Sequence, residues 1–195
     1  GNSSHSLGEA NGEGDTASYD EHVWLSLKNS VIFCERISEA LQEVDPQNAG
    51  TYRENTERYV EKLIELDSEF SSSIDNSSKK TLLFGDRFPF RYLIDDYSLS
   101  YYAAFPGCSA ESEASFETIS FLAARLNDLD ITTVLTVDGP DGGIAEAIIS
   151  ASGKSDVQIL SLDSMQSTTL ADAQNGKSYL SIMKDNLDLL KIPLS

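Results

Sequence analysis

The segment Tyr19-Asp20-Glu21-His22-Val23-Trp24-Leu25-Ser26 sets one of only two histidines between acidic residues and the single tryptophan. An imidazole beside carboxylates is suited to holding a cation, either a proton or a metal ion. The same residues also fit a plain helix start in which His22 packs on Trp24. Two carboxylates further along bear on the choice. Asp86 in Gly85-Asp86-Arg87 and Asp163 in Asp163-Ser164 each follow a strand-like run abruptly, where a side chain would point into a crevice. One histidine and two carboxylates suit a hard to borderline divalent ion such as Mn2+ or Zn2+. Asp138 and Asp141 lie in Asp138-Gly139-Pro140-Asp141-Gly142-Gly143 and read instead as turn formers.

These residues need elements to position them. From Ser26 onward, Leu27, Val31, Cys34, Ile37 and Leu41 recur at helical spacing. Asp45-Pro46 reads as an N-cap with proline in the first turn of a second helix. That helix carries Tyr52, Tyr59, Leu63, Leu66, Phe70 and Ile74 and runs to about residue 73. At ~1.5 Å per residue it would span about 40 Å, the length of a spine joining parts. It has no glycine after Gly50 and no proline after Pro46, so no break is expected.

After Asp75-Asn76-Ser77-Ser78 the texture changes. Strand-like runs at 81–84, 100–105, 133–137 and 157–162 alternate with helical patterns at 90–97, 115–129, 142–151 and 177–190. This succession of βα units predicts an α/β fold, a parallel sheet covered by helices and preceded by the long spine helix. Ligands in such sheets collect at the carboxyl ends of the strands, where Asp86 and Asp163 fall. The expected organisation is an acidic disordered leader over 1–20, a helical segment over 21–75 and the α/β part over 76–195.

A formal charge of −18, from 32 acidic and 14 basic residues, repels phosphate backbones and excludes nucleic acid as a partner. No apolar run approaches the ~18 residues of a membrane span. Gly1-Asn2-Ser3-Ser4-His5 looks like a trimmed start, from which an export leader would have been removed. The glycine-rich stretch at 138–143 lacks the lysine and hydroxyl of a P-loop, and no GxSxG elbow exists. A Cys108–His22 nucleophile pair rests on residue types alone. The aromatic cluster Phe88, Phe90, Tyr92, Tyr97, Tyr101 and Tyr102 reads as core, since few basic residues interleave. Cys34 and Cys108 are either inert thiols or one disulfide.

Taken as an ordered set, Asp20-Glu21-His22-Val23-Trp24-Leu25, the run 83–92 (Leu-Phe-Gly-Asp-Arg-Phe-Pro-Phe-Arg-Tyr), Ser161-Leu162-Asp163-Ser164 and the ending 176–188 resemble the zinc- and manganese-binding solute receptors of bacterial ABC importers. The resemblance covers residues 19–192. It implies two α/β lobes joined by a long helix, with metal bound between them, and this chain as the C-terminal lobe with its spine. Carried over by position, it makes His22, Asp163 and Asp86 metal ligands, the last with one inserted residue nearby, since Arg87 would otherwise fall there. Nothing corresponds to the first lobe or its histidine, and His5 does not replace it.

The resemblance also implies one Zn2+ or Mn2+ as cargo, the membrane permease of the importer as partner, no enzymatic activity, a monomer, and a periplasmic or lipoprotein-anchored location. In that oxidising setting a Cys34–Cys108 disulfide is expected, stabilising by about 4 kcal/mol in the chain-entropy model. An incomplete ligand set should bind metal weakly, at tens of micromolar or worse, or no more than about −7 kcal/mol. The alternatives are an interaction lobe that has lost its metal, with Asp86 turned to Arg87 or Arg91, and a small α/β enzyme using Asp138, Asp163 or Cys108.

Overall fold

The structure is a computed structural model that describes residues 20–105, 107, 114–139 and 142–195. A 3-10 turn at Val23–Leu25 leads into α1 (Leu27–Val44), whose N-cap Ser26 accepts the Asn29 N–H. A second 3-10 turn, Pro46–Asn48, precedes α2 (Ala49–Asp75). There follow β1 (Thr81–Phe84), α3 (Arg91–Asp96), β2 (Ser100–Ala103), α4 (Phe116–Asp128), β3 (Thr133–Val137), α5 (Gly143–Ser152), β4 (Gln158–Leu162), α6 (Leu170–Gln174) and α7 (Tyr179–Leu194). The four strands form one parallel sheet in the order β2-β1-β3-β4, so the expected α/β architecture is the observed one.

Alternation along the strands divides the core. Leu82 and Phe84 of β1, Leu135 and Val137 of β3 and Leu162 of β4 face a layer built from α1, α2, α3 and α7. Leu83 and Val134 face α4 and α5, against Leu122, Leu126, Ala145 and Ile148. This is the period-2 pattern of a sheet covered on both sides. The spine helix buries Leu63, Leu66, Phe70 and Ile74 at i, i+3 and i+4 steps and runs unbroken for 27 residues. Phe88, Phe90, Tyr97 and Tyr101 join the core on the first of these sides, where Phe84 lies 5.1 Å from Phe88 and 5.9 Å from Phe90, and Phe88 stacks on Tyr101 at 3.6 Å. Tyr102 packs on the other side, against Phe121.

Some expectations need correction. Asp45 is the N-cap residue of the 3-10 turn Pro46–Asn48, with Pro46 at its start as expected, rather than of α2 itself. It also closes α1, and its carboxylate accepts from Asn48 and from the Tyr52 hydroxyl, both at 2.8 Å. The α1 stripe is only half used: Leu27 is buried, whereas Ile37 is 60% and Val44 79% exposed. Helix α7 starts at Tyr179 because Ser178 caps it, leaving Lys177 outside the helix. Cys34 is a half-buried free thiol whose pKa burial pushes up, aided by the charge of Glu35. Its expected partner Cys108, the leader up to residue 19 and Asp141 lie outside the described residues.

Candidate metal centre

His22 is 1% exposed and lies just ahead of the first 3-10 turn. Its Nδ1 is 2.7 Å from Asp20 Oδ1, and its backbone N–H donates to the same oxygen at 2.9 Å. A proton on Nδ1 satisfies that carboxylate. A carboxylate on the far ring nitrogen is the usual support of a metal-ligating histidine. The ring is tilted against Trp24 at 5.3 Å.

Three distant elements hold this segment. Trp24 Nε1 donates to the Ser164 carbonyl at 3.0 Å, just beyond β4. The Tyr92 hydroxyl, from α3, donates to the Asp20 carbonyl at 2.9 Å. The Tyr179 hydroxyl, from α7, donates to the Trp24 carbonyl at 2.8 Å and accepts from Ser30. Leu25, fully buried, anchors the turn in the core.

Asp86 lies at the exit of β1, where the strand order reverses between β1 and β3, the usual location of a ligand crevice. Its Oδ1 accepts the Arg87 N–H at 2.7 Å and its Oδ2 accepts the Val137 N–H at 3.0 Å. The Arg87 guanidinium is 3.7 Å away. Asp163 lies at the exit of β4. Its Oδ1 accepts the Met165 N–H at 2.7 Å, and its Oδ2 pairs with Lys177 Nζ at 2.6 Å. That hydrogen bond raises the lysine pKa above its ordinary value. Asn186, itself buried, brackets the Asp163 peptide by accepting its N–H and donating to its carbonyl.

Among the described residues, Asp20, Glu21 and His22 are brought together, with one donor atom from each within 4.8 Å of the others; Asp86 and Asp163 belong to no such group of three. A histidine with two carboxylates at this spacing matches zinc or manganese in donor type.

Over residues 2–192 the sequence matches the family described as zinc-uptake complex component A, periplasmic. The chain belongs to that family. It is 25% identical over 180 residues to the zinc-binding protein AdcA of Streptococcus pyogenes serotype M18, covering 92% of this chain and 34% of the relative. It is 27% identical over 179 residues to the metal ABC transporter substrate-binding lipoprotein SsaB of Streptococcus sanguinis, covering 91% of this chain and 56% of that relative. The Zn(II)-bound ZnuA-like domain of Streptococcus pneumoniae AdcA superposes with a TM-score of 0.75 at 26% identity, covering 92% of this chain and 66% of the other. The metal-dependent lipoprotein YcdH of Bacillus subtilis shares the fold, with a TM-score of 0.79 at 24% identity over 92% and 66% of the two chains. The chain therefore spans about a third of the length of the AdcA relatives it matches.

Within this family member, the sequence pointed to His22 but not to the groups that seat it. In the sequence Tyr92 reads as one more aromatic of the core, and Tyr179 as one residue of a helix. Tyr179 offers a direct check. Burial, the largest cause, pushes its hydroxyl up to about 12. The unfolded chain releases this proton near ~10, so the native state binds more protons between those values. Stability should be intact below pH 10 and fall as pH rises toward 12. Tyr179→Phe should cost about 1 kcal/mol at pH 8 and make that alkaline decline shallower. Urea unfolding at pH 8 and across pH 9–11 measures both; an unchanged alkaline slope would show that another group carries it.

Proposed function

We propose that this chain is the C-terminal lobe of an extracytoplasmic zinc receptor that hands its cargo to the membrane permease of an ABC importer. It acts as a monomeric, non-enzymatic binding module, with 1–20 as an acidic leader, 21–75 as the helical arm containing the interlobe spine, and 76–195 as the α/β lobe. The observation that carries this reading is the buried His22 imidazole with Asp20 on Nδ1, locked by Trp24, Tyr92 and Tyr179. The names of the AdcA relatives favour zinc over manganese. The exposed apolar side chains Ile32, Phe33, Ile37, Leu41 and Val44 of α1 support a lobe that is covered in the parent receptor.

The proposed donors are His22 and Asp163. Asp86 joins them through the lone pairs that its two amide contacts leave on each carboxylate oxygen. Because the set is incomplete without the first lobe, Zn2+ should bind this chain only at tens of micromolar, about −6 to −7 kcal/mol. His22→Ala should weaken it at least tenfold, to the edge of detection. Competition titration against a chromophoric chelator measures both. Equal binding by wild type and variant would remove His22 from the site, and nanomolar affinity in the isolated chain would contradict the half-receptor reading.

A second reading, an interaction lobe without metal, is favoured by one specific observation. Both strand-end carboxylates are already near cations, Asp86 with Arg87 and Asp163 with Lys177. The same titration separates the two, since this second reading expects no His22-dependent binding.

A further inference from the structure

We propose that Lys177 is a built-in competing cation for Asp163, lowering the affinity of this lobe for divalent metal and easing its release. The inference rests on the metal-site reading above and adds to it a residue that sets affinity.

The Asp163 carboxylate is held in one orientation. Its peptide is bracketed by the buried Asn186, and its Oδ1 is fixed by the Met165 N–H. The remaining oxygen, Oδ2, carries the Lys177 ammonium at 2.6 Å. This lysine is delivered by its backbone. Its N–H donates to the Asp172 carbonyl at 3.0 Å. Asp172 is in turn fixed by a capping box with Thr169 at the start of α6. Gly176, with φ of 95°, turns the chain so that Lys177 stands free of α7, whose cap is Ser178.

An ammonium and a divalent ion held on the same carboxylate repel each other at such separations, so each weakens the hold of the other. The anchors on Asp163 are backbone and a buried amide, whereas the group on Oδ2 is a flexible side chain that is 40% exposed. Metal entering at Asp163 therefore meets the repulsion of Lys177, which either swings outward or lowers the affinity where it stands, and in both cases the ammonium favours release.

The test is Zn2+ competition titration of the 195-residue chain, with circular dichroism to establish that each variant is folded. Lys177→Ala should tighten Zn2+ binding about fivefold, the upper range for a partly exposed ion pair. Lys191→Ala removes the same charge from a pair with Asp188 on α7 and should change affinity less than about twofold. The gain should vanish when Lys177→Ala is combined with Asp163→Asn. The proposal is overturned if Lys177→Ala gains no more than Lys191→Ala, or if the gain survives Asp163→Asn. If His22→Ala weakens binding while Lys177→Ala does nothing, this inference alone fails. If neither His22→Ala nor Asp163→Asn alters binding, the metal-site reading fails and takes the inference with it.

Discussion

Gly85→Ala should destabilise the protein by about 3 kcal/mol, although it adds a single methyl group to a strand end. A Cβ at this position would stand 2.7 Å from Ala145 Cα, 2.8 Å from its Cβ and 3.0 Å from its N. Two of those three atoms are backbone of α5, and Ala145 is itself fully buried, so no flexible side chain can yield. Gly85 also donates its N–H to the Leu135 carbonyl at 2.8 Å, which prevents β1 from backing away. Either α5 lifts off the sheet or β1 separates from β3. Trimming the neighbour, with Ala145→Gly in the same chain, should restore little, because the contacts with Cα and N remain. Denaturant unfolding measures the loss; a cost below about 1 kcal/mol would mean that α5 is far more compliant than a packed helix should be. The effect should reach the site as well, because Asp86 is the next residue and its Oδ2 bridges to the Val137 N–H.

That bridge illustrates what could be read from the sequence and what could not. The sheet was legible because each strand is a short apolar run bounded by turn residues, and each is followed by a helical pattern. Alternation even anticipates that Leu82 and Phe84 share a face while Leu83 takes the other. Failures concentrate where local patterns compete. Lys177 fits a helix-start pattern, but Ser178 is the better cap, and that one-residue difference frees the lysine to reach Asp163. The short helix α6 was missed, although Thr169 and Asp172 spell the capping box that starts it. Ile37 and Leu41 continue a helical stripe that the described residues leave partly exposed.

For the candidate site, the division follows sequence separation. Asp20 beside His22 was visible because the two are neighbours in the chain. The supports of Trp24 come from Ser164 and Tyr179, 140 and 155 residues away, and Tyr92 reaches Asp20 across 72. No periodicity encodes such pairings; they exist only once the sheet has aligned its strand exits. Likewise, nothing about the residue type of Asp86 reveals that its carboxylate is engaged by a backbone amide at the end of β3.

Asp138 reads in the sequence as an ordinary turn former, yet its replacement by alanine should be among the most damaging changes to the candidate site. Its φ of 56° is left-handed, a conformation that aspartate and asparagine tolerate better than alanine. Its Oδ1 accepts the Ser164 N–H at 2.6 Å, and its Oδ2 accepts the Ser164 hydroxyl. Ser164 is fully buried, so Asp138→Ala would leave buried donors without their acceptors and add backbone strain. A loss of about 3–4 kcal/mol is expected. Asp138→Asn keeps both the left-handed backbone and one acceptor oxygen, and should cost about 1 kcal/mol. The distinction can be followed at the site itself. Ser164 supplies the carbonyl that holds Trp24 Nε1, and Trp24 is the single tryptophan of the chain. Native-state fluorescence should therefore shift to the red in Asp138→Ala, as the indole loses its partner and meets water, and remain close to wild type in Asp138→Asn. Unchanged emission in a clearly destabilised alanine variant would show that the Asp138–Ser164 link supports the sheet without supporting the segment that carries His22.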